Sequence, residues 1–302
     1  MQATNATDLM TLGSDVHWPD HEAATTAQAA LAATGEDRGS LGELAEWIAG
    51  VQGCFPPRDF ARVRTIIFGA ATHRAPLAAI AELAGSGVRM VAPRDGATAQ
   101  ALSAGAAIAD EEIDGGADLL ILALQGPDTG TPSLTLVSVL TNTEPVKVLP
   151  RGAGLTPDMW MQRAVDVRDA RRRAMVHRAQ PAELLEAVGG ADVAAAAGFV
   201  LRAAARRTPV LLDGLPATTA ALVAYEAQPR AVRWWRSADL SAEPAHALAL
   251  TKLGQRSVLN LGVGLADGTA GLLAAVVLRA AIRTVAGLAA PADPGAEQPA
   301  AH

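Results

Sequence analysis

One carboxylate, Asp267, lies in a glycine-rich turn between a short apolar run, Val258-Leu-Asn-Leu261, and a long apolar stretch that opens at Thr269-Ala-Gly-Leu-Leu273. The order strand, turn, helix puts an acid at the carboxyl end of a strand and at the mouth of a helix. Open α/β sheets bind ligands at that place. Unpaired backbone N–H groups there can also hold an anion. Asp267 is therefore the first candidate for a chemical group. The competing reading is a helix N-cap, for which Asp is a preferred residue.

Three further apolar runs end in polar or glycine-rich turns. Leu119–Leu124 leads into Gln125-Gly-Pro-Asp-Thr-Gly-Thr131, Val146–Leu149 into Pro150-Arg-Gly-Ala-Gly154, and Val210–Leu212 into Asp213-Gly-Leu-Pro-Ala-Thr-Thr219. In a parallel sheet all of these turns share one edge and converge on one crevice. Glycines such as Gly126, Gly152, Gly154 and Gly214 let backbone N–H groups come close to a phosphate. Arg151 adds charge, and Thr129, Thr131, Thr218 and Thr219 add hydroxyl donors. Together they describe a site for a phosphorylated small molecule. Each turn alone is an ordinary use of glycine.

Other templates do not fit. No Gly-x-x-x-x-Gly-Lys-Ser/Thr loop occurs, and Gly262-x-Gly264 lacks the third glycine of a dinucleotide fingerprint. No Gly-x-Ser-x-Gly elbow is present. Of the histidines, only His17 and His21 are close enough in sequence to share a metal, with Asp15 and Asp20 as oxygen donors. Pro19 between them disfavours a common helix, so a solvated polar stretch is expected. His73 and His246 each stand beside an element and read as surface or capping groups that can line a pocket. Cys54, the single cysteine, excludes an intramolecular disulfide and reads as structural.

These groups need a scaffold. Thr65–Phe68, Val88–Val91, Leu119–Leu124, Val146–Leu149, Val210–Asp213, Val232–Trp235 and Val258–Leu261 are short apolar runs with the character of buried parallel strands. Helical segments are expected at Pro76–Ala84, Ala97–Asp114, Thr156–Ala179, Ala182–Val188, Asp192–Arg206, Thr218–Glu226 and Ala245–Leu253. The alternation implies an α/β fold: a doubly wound, mostly parallel sheet flanked by helices, with a small helical subdomain built from both termini. Residues 1–22 read as a flexible arm, 23–288 as a single domain, and 289–302 as a disordered tail.

Composition narrows the partners. Of 302 residues half are hydrophobic, only 3% are aromatic, and the net charge is −6. An acidic chain is not expected to bind nucleic acid. The arginines of segment 156–179 are interleaved with Asp166 and Asp169 and read as a solvated face. The apolar stretch after Asp267 is interrupted by Arg279 and Arg283, so no membrane span is expected. Nor does a secretory signal open the sequence. The expected location is the cytoplasm.

The order Gly39-Ser-Leu-Gly42, Val51-Gln-Gly53, Ile67-Phe-Gly69, Gly116-Ala-Asp-Leu-Leu120, Arg151-Gly-Ala-Gly-Leu155, Ala187-Val-Gly-Gly190, Pro209-Val-Leu-Leu-Asp-Gly214, Ser241-Ala-Glu-Pro-Ala-His246 and Asp267-Gly-Thr269 resembles the nicotinate-nucleotide–dimethylbenzimidazole phosphoribosyltransferases, from about residue 36 to 290. The resemblance implies transfer of a phosphoribosyl group from nicotinate mononucleotide to a benzimidazole nitrogen, giving α-ribazole phosphate for the lower nucleotide loop of cobalamin. It implies no metal or cofactor, and a homodimer or a heteromer with another family member.

By the same resemblance Asp267 matches the family's glutamate general base. Gly126, Thr129, Thr131, Arg151, Gly152, Gly154, Asp213, Gly214, Leu265 and Gly268 would bind substrate. The chain departs from the family in several places. Leu124 replaces a glutamate, Asp128 adds negative charge in the phosphate loop, and Ala71-Thr-His73 replaces an Asp-His pair. Asp192 stands for a second glutamate, and a few dozen residues are missing before Ala81. The alternative reading is a catalytically impaired paralogue that binds ligand or partners a complete family member.

Overall fold

In the computed structural model, six strands form one sheet: β1 (Val63–Gly69), β2 (Ser86–Val91), β3 (Leu119–Gln125), β4 (Val210–Asp213), β5 (Trp235–Asp239) and β6 (Ser257–Leu259). The described residues are 9–69, 74–92, 96–126, 129–150 and 155–288. Every pairing is parallel and the order is β2-β1-β3-β4-β5-β6. Leu119 to Leu124 of β3 are all at most 1% exposed, as a strand covered on both faces requires. The doubly wound parallel sheet expected from the alternating pattern is thus what the chain forms.

The strand order reverses at β1, with β2 on one side and β3 on the other. The carboxyl ends of β1 and β3 therefore flank the topological switch point. The two ends meet there through backbone. Gly69 has φ +98°, and a Cβ on it would overlap the Gln125 carbonyl oxygen, so no other residue fits.

The helices pack by small side chains. Thr98–Asp114 and Ala191–Ala205 meet at reciprocal glycines: a Cβ on Gly105 would overlap the Ala195 carbonyl oxygen, and one on Gly198 would overlap that of Leu102. Phe199 stands edge-on to Phe68 of β1, with ring centroids 6.1 Å apart. The helix Pro157–Ala174 starts as its sequence dictates. The Thr156 hydroxyl accepts from the Met159 N–H at 3.2 Å, Pro157 fills the first turn, and Asp158 meets the helix dipole.

Some expected elements differ. Val146–Leu149 is not a strand: Pro145–Val148 is one helical turn, with Pro145 pre-setting its first φ and a Glu144–Lys147 ion pair across it. β3 already has β1 and β4 as neighbours, so the sheet offers this run no central position. Val232–Trp234 belongs to a 3-10 helix, Pro229–Trp234, and β5 begins only at Trp235. Residues 130–140, between the β3 turn and the next element, form a helix that the sequence pattern does not separate. The segment expected as one helix from Thr156 to Ala179 ends at Ala174 and continues as a 3-10 turn, Met175–His177.

The chain divides into two compact units. One comprises residues 1–18 and 60–276, the other residues 19–59 and 277–302. Within the first, residues 9–18 are packed rather than loose. Leu9 and Val16 are each 1% exposed, Gln228 Nε2 donates to the Gly13 carbonyl, and Trp234 Nε1 donates to the His17 carbonyl at 2.8 Å. The second unit is helical. Asp20 caps the helix His21–Ala33 by accepting from the Ala23 N–H at 2.8 Å, and Ala23, Ala27 and Ala49 pack with Phe55. The sequence tail 289–302 lies outside the described residues.

Candidate functional site

The segment 260–271 crosses the carboxyl edge of the sheet and is fastened to three strand ends. Asp239, at the end of β5, accepts from the Leu261 N–H at 2.6 Å through one oxygen and from the Val263 N–H at 2.7 Å through the other. Gln125, at the end of β3, donates its side-chain amide to the Leu265 carbonyl at 3.3 Å. Asp213, at the end of β4, accepts from the Gly271 N–H at 3.0 Å. Close backbone packing locks the turn further. A Cβ on Gly214 (φ +77°) would stand 2.8 Å from the Ala266 Cβ, and one on Gly271 would overlap the Ile121 side chain. Ala266 itself is left-handed, with φ +50°.

Asp267 lies in the middle of this fastened segment. It is 2% exposed, and one carboxylate oxygen accepts from the Thr269 N–H at 3.0 Å. The capping role foreseen for an Asp at this spacing is therefore present. Its second oxygen makes no hydrogen bond among the described residues.

Asp213 is more deeply placed, at 1% exposure. Burial pushes its carboxyl up to about 7; the Gly271 and Ala270 amides oppose the shift, and the nearby charges of Asp267 and Asp239 add to it. Three carboxylates thus gather behind one edge of the sheet. Asp213 holds the first turn of the helix Thr269–Ala286, where a carboxylate also meets the positive end of the helix dipole. Its hydrogen bonds among the described residues go to this backbone, where the family resemblance implies contact with substrate.

His246 forms a second buried network. It is fully buried, with Nδ1 accepting from the Ser241 N–H at 3.2 Å and Nε2 3.0 Å from the Thr218 hydroxyl. The Thr218 hydroxyl donates to the Gly214 carbonyl at 2.9 Å, which leaves its oxygen to accept from Nε2–H. The imidazole is neutral with the proton on Nε2 in this assignment. Burial pulls its titration down to about 4, against an upward pull from Asp239. The ring ties the β5 turn at Ser241 to the β4 turn at Gly214. The surface or capping role expected from a lone histidine does not apply.

Gly126 follows the end of β3, and Thr129 stands at the N-cap of the helix Gly130–Leu140. The Thr129 hydroxyl donates to the Gly126 carbonyl at 2.9 Å, and Thr129 is 5% exposed, so its hydroxyl is committed locally. Thr131 is half-buried, and its carbonyl accepts from the Thr135 hydroxyl. Asp192 lies beside this turn: a Cβ on Gly126 would be 3.7 Å from its Oδ2. Leu124 is buried in the strand. Leu265 is exposed beside the turn, and Gly268 (φ +97°) lies over Thr65 and Ile67 of β1. Gly126, Asp213, Gly214, Leu265, Asp267 and Gly268 thus share the carboxyl edge. Arg151, Gly152, Gly154, Asp128 and the Ala71–His73 segment lie outside the described residues.

Sequence reasoning missed Asp239 and the Ser241–His246–Thr218 chain. No apolar pattern marks Asp239: β5 reads Trp235-Arg-Ser-Ala-Asp239 and begins where the run Val232–Trp235, expected as a strand, ends. His17 and His21 do not build a metal site; among the described residues no group of three or more His, Cys, Asp or Glu side chains is placed to hold an ion.

The fold and this edge define a class: a doubly wound α/β protein whose strand ends carry a fastened acidic turn at the place where such sheets bind ligands. A family model described as Phosphoribosyltransferase matches residues 79–295. A protein of Mycobacterium avium (strain 104) named nicotinate-nucleotide–dimethylbenzimidazole phosphoribosyltransferase is 38% identical over 340 aligned positions, covering 94% of this chain and 97% of that protein. The like-named protein of Mycobacterium tuberculosis (strain ATCC 25618 / H37Rv) is 36% identical, covering 91% of each. The chain belongs to this phosphoribosyltransferase family. The crystal structure of CobT from Thermus thermophilus superposes with a TM-score of 0.77 at 24% identity, covering 89% of this chain and all of that one, and shares the fold. The 340 aligned positions exceed the 302 residues of the chain, so the Mycobacterium avium relative has residues with no counterpart here.

Proposed function

We propose that the chain transfers a phosphoribosyl group from nicotinate mononucleotide to 5,6-dimethylbenzimidazole or a related base. One observation carries the reading: in a chain of this family, the turn bearing Asp267 is fastened across the ends of β3, β4 and β5 on the ligand-binding edge. In the transfer, one benzimidazole nitrogen attacks C1′ of the ribose. The C1′–nitrogen bond to nicotinate breaks, and nicotinate leaves with the electron pair, which neutralises its pyridinium charge. The proton on the other benzimidazole nitrogen goes to the Asp267 carboxylate acting as general base. Gly126, Thr129, Thr131, Arg151, Gly152 and Gly154 hold the phosphoribosyl end, and Asp213, Gly214, Leu265 and Gly268 complete the substrate-binding set. The chain works without a metal or cofactor, in the cytoplasm, as a homodimer or beside another family member.

The deciding experiment follows nicotinate release from nicotinate mononucleotide with a panel of benzimidazoles, purines and phenols. Release that is lost in Asp267→Asn supports the assignment. If no acceptor releases nicotinate and the mononucleotide does not bind, the chain is a partner subunit; adding a complete family member to the same assay tests that role.

A further inference from the structure

The two buried carboxylates on either side of Asp267 do matching work. Asp213 grips the backbone after it, at Gly271, and Asp239 grips the backbone before it, at Leu261 and Val263. Asp213 anchors the first turn of a long helix whose Ala270, Leu272, Ala274 and Ala275 are themselves buried. The stretch that Asp239 holds has no helix behind it: its far end is held by the Gln125 amide at Leu265 and the close Gly214–Ala266 approach, and its near end, 261–263, by Asp239. Leu261 is 66% exposed and Leu265 is 50% exposed, Gly262 and Gly264 are left-handed, and no helix or strand contains residues 260–268. An exposed, glycine-rich loop of this kind samples many conformations unless something holds it.

Asp239 is 2% exposed and commits both oxygens to that loop, in charge-assisted bonds at the short end of their range. β6 brings the chain in at the correct height, since Asp239 also pairs in register with Leu259. We infer that Asp239 is a positioning residue for the transfer: by fixing the Leu261 and Val263 amides it sets where Leu265 and the Asp267 carboxylate stand at the sheet edge. The inference rests on the general-base reading of Asp267. Asp239 touches no substrate. It acts through the loop, so its loss misplaces a group needed in the transition state and leaves the binding of the phosphate end intact.

The test is Asp239→Asn in the full chain, with nicotinate mononucleotide and 5,6-dimethylbenzimidazole as substrates. An asparagine keeps one acceptor oxygen and sets an NH2 group against the other amide. The expected result is a loss in kcat of about 10- to 100-fold, the scale on which ångström misplacement acts, with KM for the mononucleotide changed by less than about threefold. Amide exchange over residues 260–268 rises while that of β3 and β4 is unchanged. Because Asp239 is buried, Leu261→Pro provides a second route: it deletes the donor on an exposed residue and leaves the acceptor in place, and it should reproduce the kcat loss in part.

Unchanged kcat in both variants overturns the inference. So does a parallel fall of kcat and mononucleotide affinity in Leu261→Pro, which marks general damage. Asp267→Asn is run alongside. If it turns over normally, the general-base reading fails whatever Asp239 does. If it is inactive while Asp239→Asn is fully active, only the positioning role fails.

Discussion

His246, in the helix Pro244–Leu253, and Asp213, at the end of β4, are buried and pushed in opposite directions on the pH scale; the expected consequence is a pair of opposing stability gradients. His246 titrates near 4 in the fold, against an ordinary value of 6.5. Its contribution is present above 6.5 and is lost as pH falls through 4, because the unfolded chain takes up a proton that the folded chain refuses. The difference corresponds to about 3 kcal/mol. Asp213 titrates at about 7 in the fold, against an ordinary 3.8. Its contribution is present below 3.8 and is lost as pH rises through 7, because the unfolded chain releases a proton that the folded chain keeps. That difference is about 4 kcal/mol.

Between about pH 4.5 and 6 each group changes stability by about 1.4 kcal/mol per pH unit, with opposite sign, so the two cancel. Removing one partner exposes the other. Relative to the parent chain, His246→Asn should become progressively less stable as pH rises through this window, and Asp213→Asn progressively more stable. Guanidinium unfolding followed by tryptophan fluorescence, at half-unit pH steps, measures both differences. Variants whose curves run parallel to the parent would refute the neutral buried imidazole and the protonated buried carboxyl together; a single parallel curve refutes the group concerned.

Other outcomes follow from packing. Leu9→Ala should cost about 2–3 kcal/mol, as truncation of a buried leucine does, measured by the shift in unfolding midpoint; a loose arm would give no change. Gly105→Ala should destabilise by about 1–3 kcal/mol, because its methyl meets the Ala195 backbone oxygen rather than a side chain that can move; a melting temperature equal to the parent's would contradict this. Gly214→Ala combines left-handed strain with a 2.8 Å approach to Ala266, so it should lower nicotinate release more than it lowers the melting temperature.

The sheet was legible because β1, β3 and β4 are short apolar runs bounded by turn residues, and period and length alone identify such runs. Val146–Leu149 has the same composition, yet it forms a helical turn. Its apolar character specifies burial, and Pro145 together with the lack of a free neighbouring strand decides the geometry. The acidic turn at Asp267 was legible from its glycines and its place after a strand. The position of Asp239 could not be read in this way, because the expected run ended at Trp235, and neither its role nor that of His246 was legible. Those roles exist only when residues 218, 241, 246, 261 and 263 come together, and no local pattern records that meeting. Residues 9–18 depart from a loose arm for a related reason: their two buried apolar side chains, Leu9 and Val16, belong to a segment anchored far along the chain, by Gln228 and Trp234.

The fastening of residues 260–271 to β3, β4 and β5 also sets an order of events during synthesis. Gly268 rests on Thr65, and Gln125 reaches Leu265, so the ligand edge joins parts of the chain that emerge from the ribosome far apart in time. Contacts of such long range close late. The nascent protein can build its central strands well before this edge exists. A chain interrupted between the end of β6 and residue 267 would carry all six strands with no acidic turn across them.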